Sequence, residues 1–150
     1  MSLWSLSEIQ TNHIISTQPK KMLEWGSGEA SKKFVEAGID LTSIEHNEGM
    51  PSHSGNFRLI PPIVRTHFEP KEFLDWSSYI KVTDIDQFDT ILIDGECRGE
   101  CLAWTALRAN KDAKIYLDDY ERGYYSWALE FFDVINVIQG FAHLAELRIK

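Results

Sequence analysis

"KKMLEWGSGEASKKF", residues 20–34, passes from charge into a short apolar piece, crosses two glycines one residue apart, and enters an amphipathic run. Gly26 and Gly28 mark a point where the backbone turns sharply and approaches something closely. A pyrophosphate, the amino-acid end of a cofactor and a neighbouring helix are the three candidates. Met22-Leu23-Glu24-Trp25 reads as a strand that stops at the first glycine. Glu29 to Ala37 carries Ala30, Phe34, Val35 and Ala37 at helical spacing, and Gly38 is a natural stop. "IDLTSIEHN", residues 39–47, alternates and is rich in β-branched side chains, which predicts a second strand ending at Glu45. Strand, turn, helix and strand in so short a span make a βαβ unit and call for a parallel sheet.

Working outward, Met1 to Thr17 reads as an N-terminal segment with a short helix near Leu6–Ile15. Glu48 to Asn56 reads as a loop where a fuller crossover helix would be expected. "FRLIPP", residues 57–62, is a weak third strand whose prolines suit a strand end or edge. Between Arg65 and Gln87 one helix is expected, over Pro70–Tyr79. "FDTILIDG", residues 88–95, holds a buried strand, and "CRGECLAWTALRAN", residues 97–110, has helical spacing. "AKIYLDDY", residues 113–120, is another strand ending in acids. "YYSWALEFFD", residues 124–133, reads as a helix, followed by strands in "VINVIQ" (134–139) and "AELRIK" (145–150). The last two strands are adjacent and tightly joined, so they should pair antiparallel. The sum is a single α/β domain over residues 1–150: a three-layer open sheet, Rossmann-like, mostly parallel and closed by an antiparallel C-terminal pair, with its ligand at the carboxyl ends of the strands.

The chain of 150 residues is 43% hydrophobic and contains five tryptophans, enough for a packed core. Its formal net charge of −8, without any basic run, argues against nucleic acid as a partner. No apolar stretch approaches the ~20 residues of a membrane span. Cys97 and Cys101 are four apart, which suits one face of a helix better than a disulfide or a zinc knuckle; two reduced thiols fit a cytoplasmic protein.

Four predicted strands end in acids: Glu24 before Gly26, Glu45-His46, Asp94-Gly95, and Asp118-Asp119. Any one of them is explained by capping of the following helix. All four at one sheet edge ask for more. As a dinucleotide fingerprint Gly26-x-Gly28-x-x-Ser31 lacks its third small residue at the usual spacing, although Ala30 is near. Glu45 lies where a carboxylate would take both hydroxyls of a ribose, as any adenosine-type cofactor requires.

With Glu24 two residues before the first glycine, and with the closing strand pair, the sequence resembles the class I S-adenosylmethionine-dependent methyltransferases. The resemblance spans roughly residues 20–150, and the motifs that carry it are "LEWGSG", "SIEH" and "FDTILIDG…R…C…AL…AKIYLDDYER". Within that superfamily the last pattern looks like a group of small bacterial methyltransferase-like proteins. By position, the resemblance implies that Glu24, Trp25, Gly26, Ser27 and Gly28 hold the methionine portion of S-adenosylmethionine. Glu45 would take the ribose hydroxyls, His46 would lie beside the adenine, and Asp94 would face the methyl group and the acceptor. The third strand lacks the polar end that often reads adenine in this superfamily.

Asp94, Asp118 and Asp119 also resemble the acids of metal-dependent O-methyltransferases, where Mg²⁺ holds substrate hydroxyls and lowers the pKa of the one attacked. The competing reading is that Asp118 or Asp119 caps the helix near Arg122. Arg98, four residues after Asp94, is expected to pair with Asp94 or Asp119 or to bind an anionic substrate. Tyr120 stands at the rim as a candidate substrate contact. The leading expectation is a methyltransferase acting on a small molecule, its lid supplied by residues 1–17 and 65–87 or by the second subunit of a homodimer. Two alternatives stand beside it: a non-catalytic methyltransferase-like binding protein and an NAD(P)-dependent oxidoreductase.

Overall fold

The computed structural model describes residues 6–53, 55–66 and 72–150. Among them, seven strands form one sheet in the order β3-β2-β1-β6-β7-β9-β8. These are β1 (Lys21–Trp25), β2 (Asp40–Glu45), β3 (Asn56–Leu59), β6 (Thr90–Ile93), β7 (Lys114–Leu117), β8 (Phe132–Ile138) and β9 (Leu144–Ile149). The five from β3 to β7 run parallel; β9 is antiparallel to β7 and to β8. From β1 the chain moves outward to β2 and β3, then returns to the other side of β1 as β6. The strand order therefore reverses between β1 and β6, which is where an open sheet leaves a crevice at its carboxyl edge.

Alternation along the strands builds two cores. Leu23, Trp25, Ile91, Ile93, Ile115 and Leu117 face one side, packed by α4 (Arg98–Arg108) and α5 (Ser126–Leu129). Met22, Leu41, Leu92 and Tyr116 face the other, beneath α1 (Glu8–Ser16) and α2 (Glu29–Glu36). A strand buried on both faces must be apolar throughout, hence Ile91-Leu92-Ile93. The helix expected near the N-terminus is α1, opened by a reciprocal cap in which Ser7 Oγ accepts from Gln10 N and Gln10 Oε1 accepts from Ser7 N.

The helix expected over Pro70–Tyr79 is not formed where it can be followed; residues 67–71 lie outside the described residues. Glu72–Asp75 is instead strand β5, antiparallel to β4 (Ile63–Thr66), with Arg65 Nε 2.5 Å from Asp75 Oδ2. Only Ser77–Ile80 is helical, as α3. Val64 lies across from Leu74, and a β-branched partner ten residues upstream outweighs the weak helical spacing of the segment. The helix expected over residues 124–133 is likewise shortened to a 3₁₀ turn at Gly123–Tyr125 and the four residues of α5, because Phe132 already pairs with Ile149 in β8.

Candidate functional site

Register aligns the strand ends. Ile44, Trp25, Ile93 and Leu117 are successive neighbours on one rung of the sheet, so the residues after them, Glu45, Gly26, Asp94 and Asp118, emerge together at its carboxyl edge. Gly26 has φ +94°, and a Cβ there would sit 2.5 Å from the Asp94 carbonyl oxygen. The close approach that this glycine permits is that of the chain's own β6–α4 turn. Gly28 is different: its φ of −165° is extended backbone open to any residue, and a Cβ would meet nothing within 4 Å. Its side faces a cavity.

Glu24 lies under this turn, buried at 2% exposure. Its Oε1 accepts from Ser31 Oγ at 2.5 Å and from Ser43 Oγ at 2.7 Å, and Ser31 Oγ also accepts from Gly28 N at 3.0 Å. Burial pushes the carboxyl up to about 7, against the two hydroxyls, which favour its charged form; the charge of Glu45 adds to the rise. Glu45, also buried, is held by main-chain donors: Ser27 N to Oε1 at 3.0 Å, His46 N and Asn47 N to Oε2 at 2.8 and 2.9 Å. His46 stacks edge-on against Trp76, with ring centroids 5.3 Å apart. Trp25 turns away from the cavity, fully buried, its Nε1 donating to the Tyr79 carbonyl at 2.9 Å.

At the far end Asp94, Asp118 and Asp119 come together, their oxygens within 4.8 Å of one another. Arg98 enters this cluster from the start of α4. Its Nε donates to Gly95 O at 2.9 Å, Nη1 to Asp118 O at 2.8 Å and Asp119 Oδ2 at 2.9 Å, and Nη2 to Asp94 Oδ1 at 3.3 Å. Four of the five guanidinium N–H groups are thereby used inside the cluster. Arg122 Nη2 adds a second cation on Asp119 Oδ2 at 3.0 Å. Burial, then the neighbouring Asp118 charge, raises Asp94 well above the ordinary carboxyl range, with Arg98 opposing; burial also raises Asp118. The two acids lie side by side at the ends of neighbouring strands, so the charge of either one opposes ionisation of the other. An octahedral Mg²⁺ site needs these oxygens free of other cations, and Arg98 already claims two of the three carboxylates. The set does not fit the ion as it stands.

A cavity of about 640 Å³ joins the two ends, a volume within the ~300–1,000 Å³ typical of ligand sites. Of the residues that the sequence singles out, Glu24, Gly26, Ser27, Gly28, Glu45, His46, Asp94, Arg98, Asp118 and Asp119 line it; Trp25 and Tyr120 do not. Tyr120 packs against the core instead. Sequence reasoning missed Ser31 and Ser43, the donors to Glu24, as well as Arg122 and the wall formed by Leu6, Phe141 and Ala142. Ser31 was within reach, since it is the third residue of a helix capped by Gly28. The wall was not, because it depends on Gln10 Nε2 donating to the carbonyls of Ile138 and Ala142, more than a hundred residues away.

This order of strands, with the crevice so placed, defines the fold of the class I S-adenosylmethionine-dependent methyltransferases, and solved structures agree. The chain is similar to a methyltransferase-like protein from Silicibacter pomeroyi, with a TM-score of 0.65 and 17% identity over 97% of this chain and 87% of that one. It is similar also to a TehB-like S-adenosylmethionine-dependent methyltransferase from Corynebacterium glutamicum, at TM-score 0.59 and 14% identity over 93% and 86%. A third is the Burkholderia thailandensis 1,6-didemethyltoxoflavin-N1-methyltransferase, solved with 1,6-didemethyltoxoflavin and S-adenosylhomocysteine, at TM-score 0.60 and 16% identity over 92% and 74%. No family model matches the chain, and no curated protein matches its sequence. No described helix is long and apolar enough to cross a membrane.

Proposed function

We propose that the protein is an S-adenosylmethionine-dependent methyltransferase acting on a small molecule. The observation that carries this reading is Gly28, a glycine that neither backbone conformation nor internal packing requires, facing the cavity with a buried carboxylate hydrogen-bonded on each side of it. Glu24, reached from Gly28 N through Ser31, would hold the amino group of the methionine portion. Glu45 would hold the ribose, with His46 and Trp76 beside the base. That the Burkholderia neighbour was solved with S-adenosylhomocysteine supports the assignment.

When bound, the cofactor supplies a methyl group on a sulfonium, which a nucleophile takes by displacement. The chain's contribution is to orient the acceptor and to move its proton. Asp94 and Asp118, whose burial favours their protonated forms, are the groups placed at the cavity to receive that proton. Both arginines that line the cavity are bound to Asp119, and no lysine is among the described lining residues. The lining therefore suits a neutral or basic acceptor better than an anionic one.

Calorimetric titration with S-adenosylhomocysteine, with NADH as control, tests the reading. Micromolar binding of the first alone, weakened in Glu45→Ala, is expected; absence of binding refutes it. One observation favours a second reading, a binding protein without turnover. Three of the roughly four lone-pair positions of the Glu45 carboxylate are already taken by main-chain N–H groups, and His46 Nδ1 lies 3.1 Å from Oε2, which leaves less than the room that two ribose hydroxyls need. Cofactor binding without methyl transfer across an acceptor screen would favour it.

A further inference from the structure

We propose that Arg98 is the resident cation of the carboxylate cluster at the ends of β6 and β7, and that it closes this cluster to divalent metal ions. Three carboxylates whose oxygens lie within 4.8 Å of one another repel strongly in a half-buried setting and require a positive charge among them. A hard divalent ion can supply it through an oxygen cage, and a guanidinium can supply it through a planar fork of donors. Here the fork is built in. Arg98 binds the carboxylates of Asp94 and Asp119 and, through the main-chain oxygens of Gly95 and Asp118, both strand ends that carry the cluster. Its side chain is 14% exposed.

Two backbone features are set to receive this fork rather than an ion. Cys97 enters α4 at φ +52°, in the left-handed region, and Arg98 follows it as the first helical residue. Asp119 is left-handed too, at φ +54°. That conformation costs energy for a residue other than glycine, and aspartate is among the few that tolerate it. It is maintained by ties to the Asp119 carbonyl oxygen, which accepts from the Tyr125 hydroxyl and from Arg122 N. Oδ2 of the same residue accepts from two guanidinium groups at once. The strain thus presents one carboxylate oxygen to Arg98 and Arg122. A metal entering the cluster would have to break at least the Asp94 and Asp119 bonds of a largely buried arginine.

Resting on the methyltransferase reading, this makes Arg98 a positioning residue: it fixes Asp94 at the cavity, and activation of the acceptor proceeds on Asp94 and Asp118 without a divalent ion. The test uses Mn²⁺ alone, followed by the loss of the free-ion paramagnetic resonance signal, with no cofactor present. Wild-type protein at equimolar, submillimolar concentration is expected to leave the signal unchanged. Arg98→Met, which keeps an unbranched stem out to the ε position and removes the guanidinium, is expected to take up one equivalent at least tenfold more tightly. Adding Asp118→Asn to that variant should abolish the uptake. A merely structural role for Arg98 would lower the melting temperature without creating a metal site. Uptake by wild type that Asp118→Asn abolishes would overturn the proposal, and so would a folded Arg98→Met that takes up nothing. If Arg98→Met does not fold, Arg98→Gln serves in its place, and the wild-type titration decides on its own whether the cluster is closed. The outcome is independent of S-adenosylhomocysteine binding, so failure here and failure of the methyltransferase reading are separate results.

Discussion

Glu24 makes the folded chain sensitive to pH in a direction opposite to the usual behaviour of carboxylates. In the unfolded chain it titrates near its ordinary 4.5; in the fold, burial lifts it to about 7. Below pH 4.5 both states hold the proton and the fold keeps its full stability. As pH rises from 4.5 towards 7 the unfolded state releases its proton first, so stability falls, and the loss is complete once the folded group has also ionised. Two and a half pH units at ~1.4 kcal/mol each give about 3 kcal/mol. Glu24→Gln removes the titration and keeps an amide oxygen to accept from Ser31 and Ser43.

Urea unfolding of both proteins, followed by tryptophan fluorescence from pH 4 to 8, measures the effect as a difference. Asp94 and Asp118 titrate in both proteins, so their contributions cancel apart from the influence of the Glu24 charge on Asp94. Wild-type stability relative to the variant should fall by about 3 kcal/mol across the window and level off above pH 7.5. A flat difference, or one that rises with pH, would refute the account of Glu24 as a desolvated carboxyl. A ligand ammonium beside Glu24 would offset the cost of ionising it. Affinity for S-adenosylhomocysteine should accordingly climb through pH 7 in wild type and stay level in Glu24→Gln.

The two glycines of the first turn should separate in their responses. Gly26→Ala puts a Cβ 2.5 Å from a backbone oxygen at a left-handed φ, and should cost at least about 2 kcal/mol in denaturant unfolding. Gly28→Ala meets nothing and should change stability by no more than about 0.5 kcal/mol, while weakening S-adenosylhomocysteine by about tenfold or more in calorimetry. Gln10→Ala leaves the carbonyls of Ile138 and Ala142 without their donor and should lower stability by about 1–3 kcal/mol in thermal or urea melts.

Most of the sheet was legible because its strands are bounded by chemistry that serves one purpose at a time. Ile91-Leu92-Ile93 is apolar because both faces are covered, and it ends at Asp94 because the sheet edge is wet. The β4–β5 hairpin was not legible, since Ile63, Val64, Phe73 and Leu74 are all exposed and leave no burial pattern to read. The acids of the site could be read from their positions, but their partners could not. Ser43 reaches Glu24 because the parallel register sets the two side by side, and register is decided by the whole βαβ unit rather than by either strand. Arg98 was closer to the surface of the sequence, four residues from Asp94, yet its bonds to Asp118 and Asp119 exist only because β7 lies next to β6.

The glycines of "EWGSG" look alike in the sequence and answer to different masters in the fold. At the point where strand order reverses, the turn after β1 and the turn after β6 share one rung and must cross within van der Waals contact. Gly26 exists for that crossing, and it would be needed in a chain that bound nothing. Gly28, two residues on, has cleared the crossing and opens onto the cavity, where only a guest could use the room. A glycine at a position that the chain's own packing leaves free is therefore the more informative of the two. If Gly28→Ala left both stability and S-adenosylhomocysteine affinity unchanged, that glycine would report nothing about a ligand. The buried carboxylates on either side of it would then have to be explained by folding alone, which the elevated titration of Glu24 makes difficult.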